Sequence, residues 1–401
     1  MRVLFVSQEM PPETGWGGIG TYVDVISEAI AEKGTTVDVL SVVDGQPASR
    51  QERGGVTVHR QPLPRVRGCG RLPPETWRRF WLPMTVAWLI PRLGLRPNVV
   101  ECPEWMAEGL VLGLVGRFPL VVRLHSSARQ LFPYTGQGRK WRGLDGRAAA
   151  TLEERSARQA NVVVSTRSNL DEVVARLRLD GSALHAIPYP VRLPPLQPMP
   201  ADGPPRVTFV GRLEPRKAPE VVLAAAPRVL AAVPEARFVF VGRDEYLPGD
   251  GSSMGRLRGE AQRLGVAHAV DFTGQLDQMG VVEELRRATV CAFPSRWESF
   301  GNVVAEASAT GRPVVASPIA PFRELVADGI TGRIAPLEDS SAWAAALIDL
   351  LSDRERAGAM GREGARRVAR ISEPGRVAEL ALSAHEHAIQ RFSRRERAGR
   401  R

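Results

Sequence analysis

The chain has 401 residues, of which 43% are hydrophobic and 24% charged, which excludes a disordered or fibrous protein and asks for two globular domains. Its net charge of +10 is arginine-rich and diffuse, with no RNP, zinc-finger or basic-zipper signature, so nucleic acid is not an expected partner. No apolar run reaches the roughly 20 residues of a membrane span, since even GLVLGLVGRFPLVVRL is cut by arginine.

The opening RVLFVS reads as a first strand. A single arginine and a short apolar run before acid and proline do not make a signal peptide, so a cytoplasmic location is expected. Next comes TGWGGIG, whose Gly15, Gly17 and Gly20 satisfy the GxGxxG spacing of a dinucleotide loop, and an NAD-dependent oxidoreductase is the rival reading from another class. QEMPPET separates these glycines from their strand, and the second strand, TVDVLSVV, leaves only Asp44 just past its end. The match is therefore read as accidental, with Gly17 and Gly18 allowing close backbone approach to a ligand.

VTVHR, NVVEC, LVVRLH and NVVVST continue the strand series of the first half, alternating with helix-period segments as a parallel sheet covered by helices requires. Between the first two, ETWRRFWLPMTVAWLIPRLGLR is rich in Trp and Arg. It reads as a buried helix or, alternatively, as an interfacial one giving weak membrane-surface association. PLVVRLHSSA sets Arg123, His125 and Ser126 at the carboxyl end of a strand, where open parallel sheets bind ligands. Residues 189–205, YPVRLPPLQPMPADGPP, admit neither helix nor central strand and mark a boundary.

Beyond it the pattern restarts with RVTFVGR, ARFVFVGR, AVDFTGQ, TVCAFPS, PVVAS and TGRIAP. The expected architecture is α/β, two doubly wound Rossmann-like domains facing across a cleft. Their bounds are residues 1–190 and 206–372, joined by a linker over 191–205, with a last helix over 373–391 packing back toward the first domain and a basic tail over 392–401.

Three stretches of the second half carry chemistry. In VTFVGRLEPRKAPE, Arg212 and Lys217 follow a strand end and suit a diphosphate. VFVGRDEY repeats the design with Gly242, Arg243 and Asp244. In CAFPSRWESFGNVVAEASATGRPVVAS, the helix start near Phe300, Gly301 and Asn302 presents unpaired N–H groups to a phosphate, and Glu298 and Glu306 flank it as acceptors for sugar hydroxyls. The chain has no D-x-D and no histidine pair at ligand spacing, so no cofactor and no obligatory metal are expected. Its three cysteines, Cys69, Cys102 and Cys291, are read as reduced thiols.

At these residues the whole chain resembles the family 4 glycosyltransferases, retaining enzymes of the GT-B fold. The likeness is strongest in PSRWESFGNVVAEASATGRPVVAS and GRLEPRK and moderate in GGIGTYV and RLHSS. The resemblance implies a hexose-type donor activated by a nucleoside diphosphate, UDP foremost, and a hydroxyl acceptor that is a polar small molecule or glycan, or alternatively lipid-linked. It implies that Glu298 binds donor-sugar hydroxyls, that the Phe300, Gly301 and Asn302 backbone holds the diphosphate, and that Glu306 holds the ribose. Arg212 and Lys217 would neutralise the leaving phosphates, with the Gly17 and Gly18 loop near them and His125 beside the reacting carbon. Acceptor contacts would come from the region of Gly20, Thr21 and Tyr22 and from loops such as Arg123 to Ser126. Two places depart from the family pattern: Ala320-Pro321 stands where relatives carry Gly-Gly, and Tyr189-Pro190 where Asn-Gly is common.

Overall fold

The computed structural model describes residues 1–14, 17–64, 74–134, 143–200, 202–247, 249 and 251–399. Gly15, Cys69 and the last two residues of the basic tail lie outside the described residues. The chain divides into two compact units. Unit 1 comprises Met1–Leu131, Arg139–Pro190 and Pro374–Arg401, and unit 2 comprises Phe132–Gly138 and Val191–Glu373.

Unit 1 is built on an eight-stranded sheet. Its strands are β1 (Arg2–Val6), β2 (Thr36–Val43), β3 (Ser49–Arg53), β4 (Val56–Pro62), β5 (Val99–Pro103), β6 (Leu120–Arg123), β7 (Val162–Ser165) and β8 (Leu184–Ala186). They lie in the order β3-β4-β2-β1-β5-β6-β7-β8, parallel except for the β3–β4 pair. The strands β5, β6 and β7 are buried along their length; LVVR and VVVS accordingly read as apolar runs without alternation, while VVECP buries Glu101 as well. β3 escapes such reading. Its sequence, SRQER, is an edge hairpin strand turned at Gly54 and Gly55, and its charges blunt that edge.

Unit 1 keeps the last helix, Pro374–Gly399, which packs on the helix Gly18–Glu32 and seats His385 Nε2 2.6 Å from Glu101 Oε2 in the middle of β5. The helix Pro74–Arg92 buries Leu82, Val86, Leu89 and Ile90 in the core. Its other face exposes Phe80, Met84 and Trp88, each four residues from the next. Among the described residues no helix is long and apolar enough to cross a membrane.

Unit 2 holds a six-stranded parallel sheet in the order β13-β10-β9-β14-β15-β16. Its strands are β9 (Arg206–Val210), β10 (Arg237–Val241), β13 (Val270–Gly274), β14 (Val290–Phe293), β15 (Val314–Ala316) and β16 (Gly332–Ile334); β11 (Tyr246–Leu247) and β12 (Gly251–Ser252) form a small separate hairpin. Its core gathers Phe209, Phe238, Phe240 and Trp343 under the helices Pro219–Ala232 and Ser340–Ser352. Cys102 and Cys291 are free thiols buried in the two sheets.

Each sheet is entered at an inner strand and grows first one way, then the other. The reversal falls between β1 and β5 in unit 1 and between β9 and β14 in unit 2. The carboxyl ends of strands at such a switch diverge into a crevice, and doubly wound sheets bind ligands there.

Candidate active site

In unit 2 the loops after β9 and β14 meet at the switch. Lys217 Nζ lies 2.5 Å from Glu298 Oε1, Arg216 Nη1 lies 2.9 Å from Glu298 Oε2, and Ser295 Oγ donates to the same carboxylate at 2.9 Å. Arg216 also reaches Trp297 O at 3.0 Å and Glu214 at 2.7 Å, and Arg212 joins through Glu214 at 3.1 Å. The two loops are tied by backbone as well, Arg296 N donating to Arg216 O at 2.8 Å. Three cations thus alternate with two carboxylates, 3 − 2 = +1, around groups that are buried except for the half-exposed Arg212. Burial alone would raise the Glu298 carboxyl, but Arg216, Lys217 and the hydrogen bonds from Lys217 and Ser295 hold it at about 2.

Beside this cluster starts the helix Asn302–Ala309. Its N-cap is Gly301 at φ 99°, a left-handed conformation that suits glycine, and a Cβ there would stand 2.6 Å from Phe322 Cε1. No side chain caps this terminus, so its first N–H groups face outward from a buried Phe300. Glu306, one and a half turns along, is pushed to about 7 by burial, with Lys217 pulling the other way. Arg243 is exposed and paired with Glu245 at 2.7 Å, while Asp244 accepts from Ser252 Oγ and Met254 N, an anchoring role for the helix behind it. Arg216 was not singled out from sequence; the signal available was its place between Pro215 and Lys217 in a loop already marked by cations.

In unit 1 the expected residues gather after β1, β5 and β6, though not all in the expected sense. Arg123 and Tyr22, expected near an acceptor, are each only 1% exposed. Tyr22 Oη donates to Glu101 Oε1 at 2.6 Å. The Arg123 guanidinium lies over the Tyr22 and Tyr189 rings at 4.0 and 4.7 Å and donates to the Ile187 and Pro188 carbonyls. They form a rigid floor under His125, whose Nδ1 is 2.5 Å from Tyr189 Oη and whose backbone N–H donates to Glu104 Oε2 at 2.8 Å. Burial, helped by Arg123, keeps the His125 imidazole neutral by lowering its pKa well below the usual value. Ser126 beside it is partly exposed.

Gly17, Gly18, Gly20 and Thr21 lie at the start of the helix Gly18–Glu32. The group that approaches them is a side chain of this chain: Gly20 N donates to Glu9 Oε2 at 3.0 Å, and a Cβ on Gly17 would fall 2.2 Å from that same oxygen. Gly17 is therefore explained by Glu9, which occupies the helix N-terminus as an internal anion.

Two Rossmann-like α/β domains in tandem, each with polar groups at its switch point, define the GT-B class of glycosyltransferases. Comparison with known proteins agrees: residues 197–367 match the family "Glycosyl transferases group 1" and residues 17–190 match "Glycosyl transferase 4-like domain". The chain belongs to the family 4 GT-B glycosyltransferases, enzymes of hexosyltransferase type. It is 29% identical over 405 residues to the D-inositol 3-phosphate glycosyltransferase of Segniliparus rotundus, covering 92% of this chain and 84% of that one. Sucrose-phosphate synthase from Thermosynechococcus elongatus has a similar fold, with TM-score 0.76, 23% identity and coverage of 97% and 99% of the two chains. So does Anabaena HepE in complex with UDP and glucose, with TM-score 0.71, 17% identity and coverage of 95% and 98%.

Proposed function

We propose that this enzyme moves a hexose-type sugar from a nucleoside diphosphate sugar, a UDP-sugar foremost, to a hydroxyl of a polar small molecule or glycan, with retention and without an obligatory metal. The observation that carries the reading is the Arg212-Glu214-Arg216-Glu298-Lys217 cluster beside the uncapped helix start at Gly301. Fixed cations and backbone dipoles, already oriented by their own carboxylates, stabilise charge growing on a departing diphosphate without reorganising. In the reaction the bond from the anomeric carbon to the phosphate oxygen breaks and a bond to the acceptor oxygen forms on the same face. The departing phosphate oxygen takes the acceptor's proton. Glu298 and the Phe300, Gly301 and Asn302 backbone serve sugar and diphosphate, Glu306 serves the ribose, and His125, neutral and held at Nδ1, serves the sugar with its other nitrogen.

The test is a panel of nucleotide sugars scored for slow nucleoside diphosphate release without acceptor and for thermal stabilisation, with and without chelator. Release from one or more donors that survives chelation supports the reading; a reaction that stops with chelator and returns with divalent ions removes its metal-free part.

The exposed Phe80, Met84 and Trp88 stripe favours a second reading, in which the helix Pro74–Arg92 rests on a membrane surface near a lipid-linked acceptor. Arg92 over the Trp88 ring at 4.8 Å supplies the basic neighbour that anionic headgroups favour. Co-sedimentation with anionic vesicles decides it: protein left in the supernatant rejects the lipid version.

A further inference from the structure

At the β1/β5 switch of unit 1 lies a cavity of about 220 Å³, well over ten times the roughly 10–15 Å³ that one water needs. Gln8, Glu9, Thr14, Arg78, Trp105 and Glu108 are among its walls. Glu108 is 1% exposed. Its Oε1 accepts from the Gln8 side chain at 3.0 Å and from Gln8 N at 3.3 Å, but its Oε2 is buried with no hydrogen-bond partner. A buried carboxylate oxygen left open is costly unless something else satisfies it. The backbone works to hold it there: Met106 and Ala107, the residues that turn Glu108 inward, both have positive φ, at 59° and 54°.

The charges on the walls say what that something is. Glu9 and Glu108 oppose Arg78 alone, 2 − 1 in favour of negative charge. Arg78 is itself engaged, donating to Gln8 Oε1 at 2.8 Å and facing Asp44 at 3.4 Å. A phosphate or carboxylate would meet two acids, and the helix N-terminus that could have received it is filled by Glu9.

We propose that this cavity is the acceptor site and that it selects a polyol bearing a protonated amine, an aminocyclitol or amino sugar, whose ammonium group donates to Glu108 Oε2 while ring hydroxyls bond to Gln8, Glu9 and Thr14. The proposal rests on the glycosyl-transfer reading only in giving the ligand the role of acceptor. It separates this enzyme from a relative whose name carries a phosphorylated inositol.

The groups facing Glu108 are Gln8, Glu9, Arg78 and the Cys102 thiol. Burial pushes its carboxyl up to about 7, with Gln8 and Arg78 lowering it and Glu9 raising it. An ammonium ligand therefore binds better as pH rises through 7 and displaces a proton, whereas a neutral polyol does not share that dependence.

Calorimetric titration of the full chain with scyllo-inosamine, myo-inositol and myo-inositol 3-phosphate tests this; cyclitols are used because a free hexose could enter the donor site. The amine should bind about tenfold to a hundredfold more tightly than the neutral ring, the size of one charge-assisted hydrogen bond, and the phosphate most weakly. The amine preference should grow from pH 6 to pH 8 and disappear in Glu108→Gln. If that variant does not fold, the wild-type pH series decides. Equal binding of the three, tighter binding of the phosphate, or no binding of any at millimolar concentration overturns the proposal. Donor hydrolysis by the wild type tests the underlying reading separately: its absence with the amine preference intact would leave a binding site for an amino polyol and remove the word acceptor.

Discussion

Both units place a polar cluster at the same point of the fold, yet they treat buried carboxylates in opposite ways. In unit 2 every oxygen of Glu298 is matched, by Lys217 and Ser295 on one side and Arg216 on the other, and the carboxyl is held at about 2. In unit 1 Glu104 and Glu108 each keep one buried oxygen without a partner, and burial pushes them to about 8 and about 7. A carboxylate held by cations fixes their positive charge in place while keeping acceptor capacity of its own. One with an open oxygen is an acceptor awaiting a donor. On the proposed reading, the equivalent point of the fold serves an electrophile's phosphates in one unit and a nucleophile's hydroxyls and amine in the other, and the sequence family alone does not distinguish these economies.

Removing a cation breaks the comparison most severely. Arg216→Ala strips Glu298 Oε2 of its cation, leaving Lys217 and Ser295 on Oε1 alone, and should cost about 3–5 kcal/mol in denaturant unfolding, because a buried ion pair is broken. Lys217→Ala should lower kcat/KM for donor turnover by about 10²–10³. Arg212→Ala, at a half-exposed ion pair, should move stability by less than about 1 kcal/mol, so its effect on rate reads phosphate contact alone. Equal stability of Arg216→Ala and Arg212→Ala would deny the cluster its fixed character.

Gly301→Ala is next in size. The left-handed backbone costs about 1–2 kcal/mol for any other L-residue, and the new methyl would press on Phe322, at one of the two places where the chain departs from its family. Unfolding should be easier by about 2–4 kcal/mol. In a Phe322→Ala background, itself destabilised by loss of a buried ring, Gly301→Ala should cost less than in the wild type; an equal cost in both would mean the backbone strain alone accounts for it.

The pH dependence separates the two carboxylate economies directly. Glu298, at about 2 in the folded chain against an ordinary 4.5, binds fewer protons folded than unfolded, so its contribution is full above about 4.5 and is lost as pH falls toward 2. Glu104, at about 8 against 4.5, binds more protons folded, so it favours the folded state below about 4.5 and that advantage is lost as pH rises toward 8. Glu104→Gln should therefore flatten the fall in Tm between pH 5 and pH 8 and raise Tm at pH 8 by about 2–6 °C. An unaltered slope would place the proton elsewhere.

How much of this stood in the sequence follows from what a linear pattern can carry. Strands such as VVVS at β7 are legible because burial on both faces demands an apolar run, and the Pro-dense stretch that begins where unit 1 reaches Pro190 is legible because proline refuses both ladders and helices. Glu298 and Lys217 are legible through their loops at strand ends. Glu104 and Glu108 are not: in PEWMAEGL they stand four apart like the outer charges of a helix, and only the positive φ angles of Met106 and Ala107 reveal that the chain turns them inward. Arg216 and Arg212 likewise differ by burial alone, which no spacing records.

The smallest expected effect concerns Tyr189, the other departure from the family pattern. It presents a phenol whose oxygen is 2.5 Å from His125 Nδ1, inside an aromatic group with Tyr22. When the phenol donates to Nδ1, the ring proton must sit on Nε2, and His125 becomes a fixed donor on its open side. Tyr189→Phe keeps the packing and the Arg123 stacking but frees the tautomer. It should lower kcat about threefold to tenfold, the worth of one hydrogen bond, with KM for the donor little changed and a mixed tautomer signal in the imidazole nitrogen resonances. A KM effect with unchanged kcat would make Tyr189 a packing residue, and unit 1 would then contribute its open carboxyls to the reaction but no oriented imidazole.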